Sequence, residues 1–249
     1  MPLSGTLDVG PRLADAPRLD NYDTEAWEIA GVELLNLTFE IDDAQMTSAL
    51  PPALHPTIPP VAYFSVAAYP ESPIGPFNLA QVRIGCRASA LPRGFLLRAY
   101  SDSPAAIDAL GHRWGYNCRP ADVRLRRYHD RILGTVTIDG HEILRASLAD
   151  PLPISGGSIF HVSTMNLARA DDDGGRGVLV QVDPAYVFQR AERGMPEVTA
   201  FERSAWNAEG IEPVWPVTAT FVRCDTGFPR IRYVLDAQQP ARTGTRKLR

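Results

Sequence analysis

The sequence predicts an α+β fold, mainly antiparallel β-sheet that curls or closes, with a few short helices. Three observations predict it. Short apolar or alternating runs of strand type recur along most of the chain. Several are joined by Asp- and Gly-bearing turns of hairpin type. Only three segments carry helix start and stop signals. Residues 1–25 are rich in Pro, Asp, Gly and Arg without periodicity and read as an N-terminal arm, one that could pack on a neighbouring subunit. Residues 26–236 read as a single domain, and residues 237–249 as a flexible tail.

The strands come in this order. Residues 33–41 (ELLNLTFEI) open the first, and 61–69 (VAYFSVAAY), apolar on both faces, suit a strand buried on both sides. Residues 81–88 alternate, with Val82, Ile84, Cys86 and Ala88 on one face and Gln81, Arg83 and Arg87 on the other. Residues 95–100 follow across a Leu-Pro-Arg-Gly turn. Residues 132–138 and 141–148 form a hairpin around Asp139-Gly140, a pair that tolerates the positive φ of a two-residue turn. Residues 158–168 and 178–182 flank a second tip, Asp171 to Gly175, and 217–223 and 230–235 flank a third at Asp225-Thr226-Gly227. The helices begin at Asp42, running to about Leu50 before Pro51-Pro52; at Ser103-Pro104, running to Gly115; and at Asp183-Pro184, running to Gly194.

The chain has 249 residues, of which 45% are hydrophobic and 22% charged, enough for one sizeable core. A net charge of −4 gives no basic field for nucleic acid or an anionic membrane surface. No apolar run is long enough for a membrane helix, and the first residues lack a signal-peptide pattern. Cys86, Cys118 and Cys224 are too few and odd in number for a disulfide framework, so a reducing cytoplasm is expected. The nucleotide-binding glycine loops, the C-x-x-C pair and the G-x-S-x-G elbow are missing. The five histidines have no metal-ligand spacing, and Asp171 to Gly175 lacks the Glu of a calcium loop, so neither metal nor cofactor is expected. One count outweighs the rest. Of the 25 basic residues 24 are Arg, and the single lysine is Lys247 in the tail. The body therefore offers no side-chain amine for a Schiff base.

The segment from Tyr100 to Arg119, with YSDSPAAIDALGHRWGYNCR, resembles the acetoacetate decarboxylase family. In that family a strand ends in Tyr-x-Asp, a helix begins with Ala-Ile, and it ends in Trp-Gly-Phe-Pro-Lys-Lys. Leu50-Pro51-Pro52-Ala53-Leu54 is similar to the family's L-P-x-x-L, and Gly75-Pro76-Phe77-Asn78 to its Gly-Pro-Tyr-x-Glu loop. The resemblance spans about 30–236. It implies a cone-like antiparallel barrel with an internal apolar pocket, usually in a homo-oligomer. It also implies catalysis by the first lysine of the pair, which forms an imine with a β-keto acid while its neighbour lowers its pKa.

Carried over position by position, that apparatus is replaced. Trp114-Gly115-Tyr116 falls on Trp-Gly-Phe, Asn117 on the proline, Cys118 on the imine lysine and Arg119 on its neighbour. The loop glutamate falls on Leu79, a second pocket glutamate on Phe64, and the arginine that meets the substrate carboxylate on Val32. Arg119 keeps a charge but stays protonated and cannot act as an amine.

The candidate catalytic residues are Arg119, Tyr116, His161 and Cys118. Cys118 beside Arg119 could be a reactive thiolate or a small buried filler. Arg119 could hold a carboxylate or enolate, or pair with an acid of the body. Tyr116 could do acid–base work or only pack, and His161, in the apolar run IFHVSTM, could be a general base or a hydrogen-bonded core histidine. Substrate-binding candidates are Arg98, Tyr100, Phe64, Leu79, Asn78, Asn117, Tyr63 and Val32, with Tyr69 at the pocket wall. Arg98, if interior, needs a partner such as a ligand carboxylate, Glu33 or Asp102.

The expected function is that of a non-decarboxylating family member. It would be a cyclase, isomerase or dehydratase acting, without imine formation, on an apolar carbonyl-bearing small molecule, polyketide-like, in bacterial secondary metabolism. The alternatives are a non-catalytic carrier of an apolar metabolite and an arginine-assisted decarboxylase.

Overall fold

The computed structural model describes residues 3–89, 91–170 and 177–248. In chain order the elements are α1 (Val9–Asp15), β1 (Trp27–Glu40), α2 (Asp43–Ala49), β2 (His55–Pro56), β3 (Val61–Tyr69), β4 (Phe77–Arg87), β5 (Pro92–Ser101), α3 (Pro104–Trp114), β6 (Cys118–Pro120), β7 (Asp122–Arg127), β8 (Arg131–Ile138), β9 (His141–Pro153), β10 (Ser163–Ala168), β11 (Val178–Val182), β12 (Val187–Phe201), β13 (Trp215–Phe228), β14 (Tyr233–Asp236), α4 (Ala241–Gly244) and β15 (Thr245–Lys247). All these strands join one sheet. Its path runs β15-β14-β11-β10-β5-β4-β3-β1-β13-β12-β9-β8-β7, with β2 on β4 and β6 on β5. Pairing is antiparallel except that β6 and β10 run parallel to β5. The path begins at β15 and ends at β7, so the expected cone-like barrel is an open, curled sheet.

Most local signals act as read. Asp42 caps α2 by accepting from Ala44 N–H and Gln45 N–H, and Ser103 caps α3 by accepting from Ala106 N–H. Gly115 ends α3 at φ 71°, a left-handed value open to it because it has no Cβ. The β8–β9 hairpin turns at Asp139-Gly140, both at positive φ.

Four expectations are corrected. Residues 184–194 are not a helix: 184–186 are irregular, and from Val187 on they begin β12, paired with β13 on one side and β9 on the other. Two ladders outweigh a Pro-and-Gly punctuation that has no apolar helical face behind it. Gly194 is a close-approach point, since a Cβ there would collide with the Ala149 carbonyl and the Leu148 side chain. The third hairpin does not exist: β13 runs through Asp225-Thr226-Gly227, and β14 pairs with β11. The tail after Ala237 is not free, because β15 pairs with β14. Finally, the strand containing 158–168 shrinks to β10, leaving His161 in the preceding irregular segment. The tip Asp171 to Gly175 lies outside the described residues.

The core has two layers, one on each face of the sheet. Along β4, Ala80, Val82, Ile84 and Cys86 join the first layer, and Phe77 and Leu79 the second. Along β3, Ala62, Phe64 and Val66 join the first, and Ala67 and Tyr69 the second. The period of two along a strand divides them, and burial on both faces accounts for the continuous apolar run of β3. The first layer is closed by α1, α2, β7 to β9 and the loop carrying Trp206. The second is closed by α3, Leu19, Trp27 and Phe228, with Trp27, Trp114 and Phe228 in mutual ring contact. Among the described residues, no helix is long and apolar enough to cross a membrane.

Candidate active site

The second layer turns polar toward one end, and Arg83 is at its centre. β4 places Leu79, Gln81 and Arg83 on that face. Across the β3–β4 ladder Arg83 faces Tyr63, Gln81 faces Ser65, and Leu79 faces Ala67. Asn36 of β1 stands opposite Ser65. Arg83 is only 7% exposed. Its Nη1 donates to Val162 O at 2.9 Å, and its Nη2 donates to Ser65 Oγ at 2.6 Å and Asn36 Oδ1 at 3.1 Å. All three acceptors are neutral, and its Nε has no partner. Gly94, on the neighbouring β5, leaves room for the stem: a Cβ there would lie 2.9 Å from Arg83 Cβ and 3.1 Å from Cδ. Burial lowers the Arg83 pKa, yet a guanidinium starts so high that it stays charged.

The groups whose charge would act on Arg83 are Tyr186, Tyr116, Tyr63 and Tyr69. Burial raises all four phenols, Tyr63 to about 12, so none supplies an anion at neutral pH. Tyr116 Oη lies 3.4 Å from Thr164 Oγ1 in β10. The His161 ring packs against Tyr186 at 5.1 Å and Phe188 at 5.7 Å. Burial, then the charge of Arg83, lowers its pKa from 6.5 to about 4, so it is neutral. His161 Nε2, Gln81 Oε1 and Asn166 Oδ1 are buried without hydrogen-bond partners. Among the described residues the layer thus holds a cation that no anion answers, neutral phenols, a neutral imidazole and unused acceptors.

The sequence-derived candidates divide between this layer and other places. Val32, Leu79, Tyr116 and Cys118 belong to the second layer, and Tyr63 and His161 border Arg83. Cys118 is buried, and burial pushes its thiol to about 12 against the opposing charge of Arg98. Burial and a raised pKa fit the small buried filler of the two readings rather than a reactive thiolate. Arg119 turns outward: its side chain is 48% exposed and paired with Asp15 at the end of α1. Asp15 also accepts from Arg98 at 2.6 Å and from Asn117 Nδ2 at 3.4 Å. It is the partner of Arg98, in place of Glu33, Asp102 or a ligand. Arg119, Asn117, Tyr116 and Cys118 together line a surface groove of about 660 Å³ with Asp15 and Arg169, which borders the second layer from outside.

Tyr100 and Phe64 belong to the opposite layer, because one residue of strand phase exchanges faces. The Tyr100 hydroxyl donates to Ala205 O at 2.6 Å, and Phe64 packs edge-on against Phe39 and Phe201. Asn78 is held by Asp102, which accepts from its backbone N–H at 2.7 Å and from its Nδ2 at 2.6 Å. Sequence reading singled out neither Arg83 nor Gln81, Asn166 and Tyr186. The available signal was Arg83 and Gln81 on one face of a strand, with Tyr63 and Ser65 at matching positions of its neighbour.

The comparisons with known proteins agree on the shell. No curated protein matches the chain by sequence. An acetoacetate decarboxylase from Legionella pneumophila superposes with a TM-score of 0.74 at 17% identity, over 87% of this chain and 90% of that one. The enduracididine biosynthesis enzyme MppR gives 0.70 at 15% identity, over 86% and 89%. An acetoacetate decarboxylase-like enzyme from Sphingomonas wittichii RW1 gives 0.65 at 15%, over 83% and 91%. Identities this low establish the fold and leave the chemistry to the residues. The sequence profile of the acetoacetate decarboxylase (ADC) family matches residues 15–231. With most of the chain matched and the fold shared, this protein belongs to the acetoacetate decarboxylase family.

Proposed function

We propose that this chain is an imine-free enzyme of its family, acting on an apolar carbonyl-bearing small molecule by proton transfer next to the carbonyl. The observation that carries the reading is the nitrogen inventory of the interior. The single lysine is Lys247 in β15, position 118 is a neutral thiol, and the buried cation is a guanidinium. A guanidinium cannot attack a ketone, but it stabilises an oxyanion that forms beside it.

The steps follow from that inventory. His161 Nε2 takes a proton from carbon α to the carbonyl; the C–H electron pair forms the carbon–carbon double bond, and the carbonyl π pair moves to oxygen, giving an enolate whose oxygen faces Arg83. Returning the proton to another carbon isomerises the substrate. Attack of the enolate carbon on a second carbonyl closes a ring, and the alkoxide takes the proton; loss of hydroxide with a further proton then dehydrates it. An imidazole at about 4 is a weak base at neutral pH. Negative charge on the ligand cancels the second cause of its depression, so base strength rises as the enolate forms.

The test is proton exchange of β-diketones and β-keto esters in D₂O, followed by NMR, with CO₂ release from β-keto acids measured in parallel. The reading predicts catalysed C–H exchange, abolished in His161→Asn, and no CO₂. Binding without exchange identifies a carrier. Release of CO₂ identifies an arginine-assisted decarboxylase.

A further inference from the structure

We propose, resting on the imine-free reading, that Arg83 is a built oxyanion anchor. The interior takes planar organic anions, the enolate of a 1,3-dicarbonyl or a carboxylate, and discriminates against neutral ketones of the same size.

Arg83 is buried, and no carboxylate pairs with it among the described residues, whereas Arg93 and Arg98 meet Asp183 and Asp15. A buried cation without a counter-charge is costly, and an anion that reaches it recovers much of that cost. The described residues do not provide one, since Tyr63, Tyr69, Tyr116 and Tyr186 are all held neutral by burial.

Geometry points the same way. Val162 O, Ser65 Oγ and Asn36 Oδ1 fix the plane of the guanidinium without cancelling its charge. Tyr63 lies 5.7 Å from its carbon, and the Gly94 backbone confines its stem. Three of its five N–H groups serve those three acceptors, and the Nε–H is among the donors left without a partner. A planar oxyanion matches this presentation, as guanidinium matches carboxylate elsewhere. Gln81, two residues along the same face of β4, adds an unpartnered acceptor, Oε1, beside it. A neutral ketone would accept one hydrogen bond and leave the charge unanswered.

The experiment titrates the full-length protein with acetylacetone, butanoate and pentan-2-one. Affinities are read by calorimetry, and the ionisation state of bound acetylacetone by its ultraviolet spectrum. Acetylacetone is expected to bind as the enolate at a pH where it is un-ionised in water, its proton passing to solvent. Pentan-2-one is expected to bind about ten- to a hundredfold more weakly, the worth of one charge-assisted hydrogen bond. Arg83→Met should remove that preference. Should this variant fail to fold, the wild-type spectrum and the pentan-2-one ratio still decide. Competition by butanoate extends the class to carboxylates, and its absence confines the class to enolates. Acetylacetone bound without the enolate spectrum, or no more tightly than pentan-2-one, overturns the anchor and leaves the imine-free reading standing. An adduct fixed by borohydride overturns that reading, and the anchor with it.

Discussion

His161 gives the most direct residue-scale consequence. Its folded pKa is about 4 against 6.5 for the free side chain. The unfolded chain therefore binds a proton that the folded chain refuses, and stability falls as pH drops from 6.5 toward 4. Urea midpoints across that window are expected to decline, with a shallower decline in His161→Asn between pH 6.5 and 5, where few carboxylates titrate. Equal slopes in both proteins would mean that the imidazole is not held neutral. At position 118 the expectation is the reverse of a catalytic one. Cys118→Ser should keep turnover within about a factor of three, because a thiol raised to about 12 performs no nucleophilic work. Loss of activity with the fold intact would make the sulfur essential.

At the scale of elements, the strands and capped helices were legible wherever local chemistry and tertiary contacts agree. The Asp42 and Ser103 caps, the Asp139-Gly140 turn and the doubly apolar β3 carry their conformations in a few residues. β12 was not legible, because what makes residues 187–201 a strand is a pair of neighbours far away in sequence. The candidate site was half legible for a related reason. Family correspondence placed Val32, Leu79, Tyr116 and Cys118 in one layer, but Phe64 and Tyr100 fell on the far face, one step out of phase. Arg83 is hard to single out because a basic residue on a strand usually faces water, and only the residues packed over it, Val162 and its neighbour His161, reveal that this one does not. The close approach at Gly194 gives an element-scale prediction. Gly194→Ala must separate β12 from β9 and should destabilise the fold by about 2 kcal/mol in chemical denaturation. A change under about 0.5 kcal/mol would show that the ladder yields freely.

The whole molecule is a curled sheet with one apolar layer and one layer that ends in a polar pole, and the chain's first residues fasten it from outside. Val9 and Ala16 are buried in the first layer, and Asp15 gathers Arg98, Arg119 and Asn117. Asp15→Ala would leave the largely buried Arg98 without its acid. We expect a loss of about 2–4 kcal/mol and faster proteolysis within residues 8–20, with the rest of the chain intact. Unchanged cleavage would mean that α1 is held by its apolar contacts alone.

The proposed chemistry requires an interior that keeps the family's shell without its amine. The decisive measurement is borohydride reduction of the intact protein in the presence of a β-keto acid, followed by mass spectrometry. The expected result is an unmodified chain. A stable adduct mapped to the layer around Arg83 would contradict it.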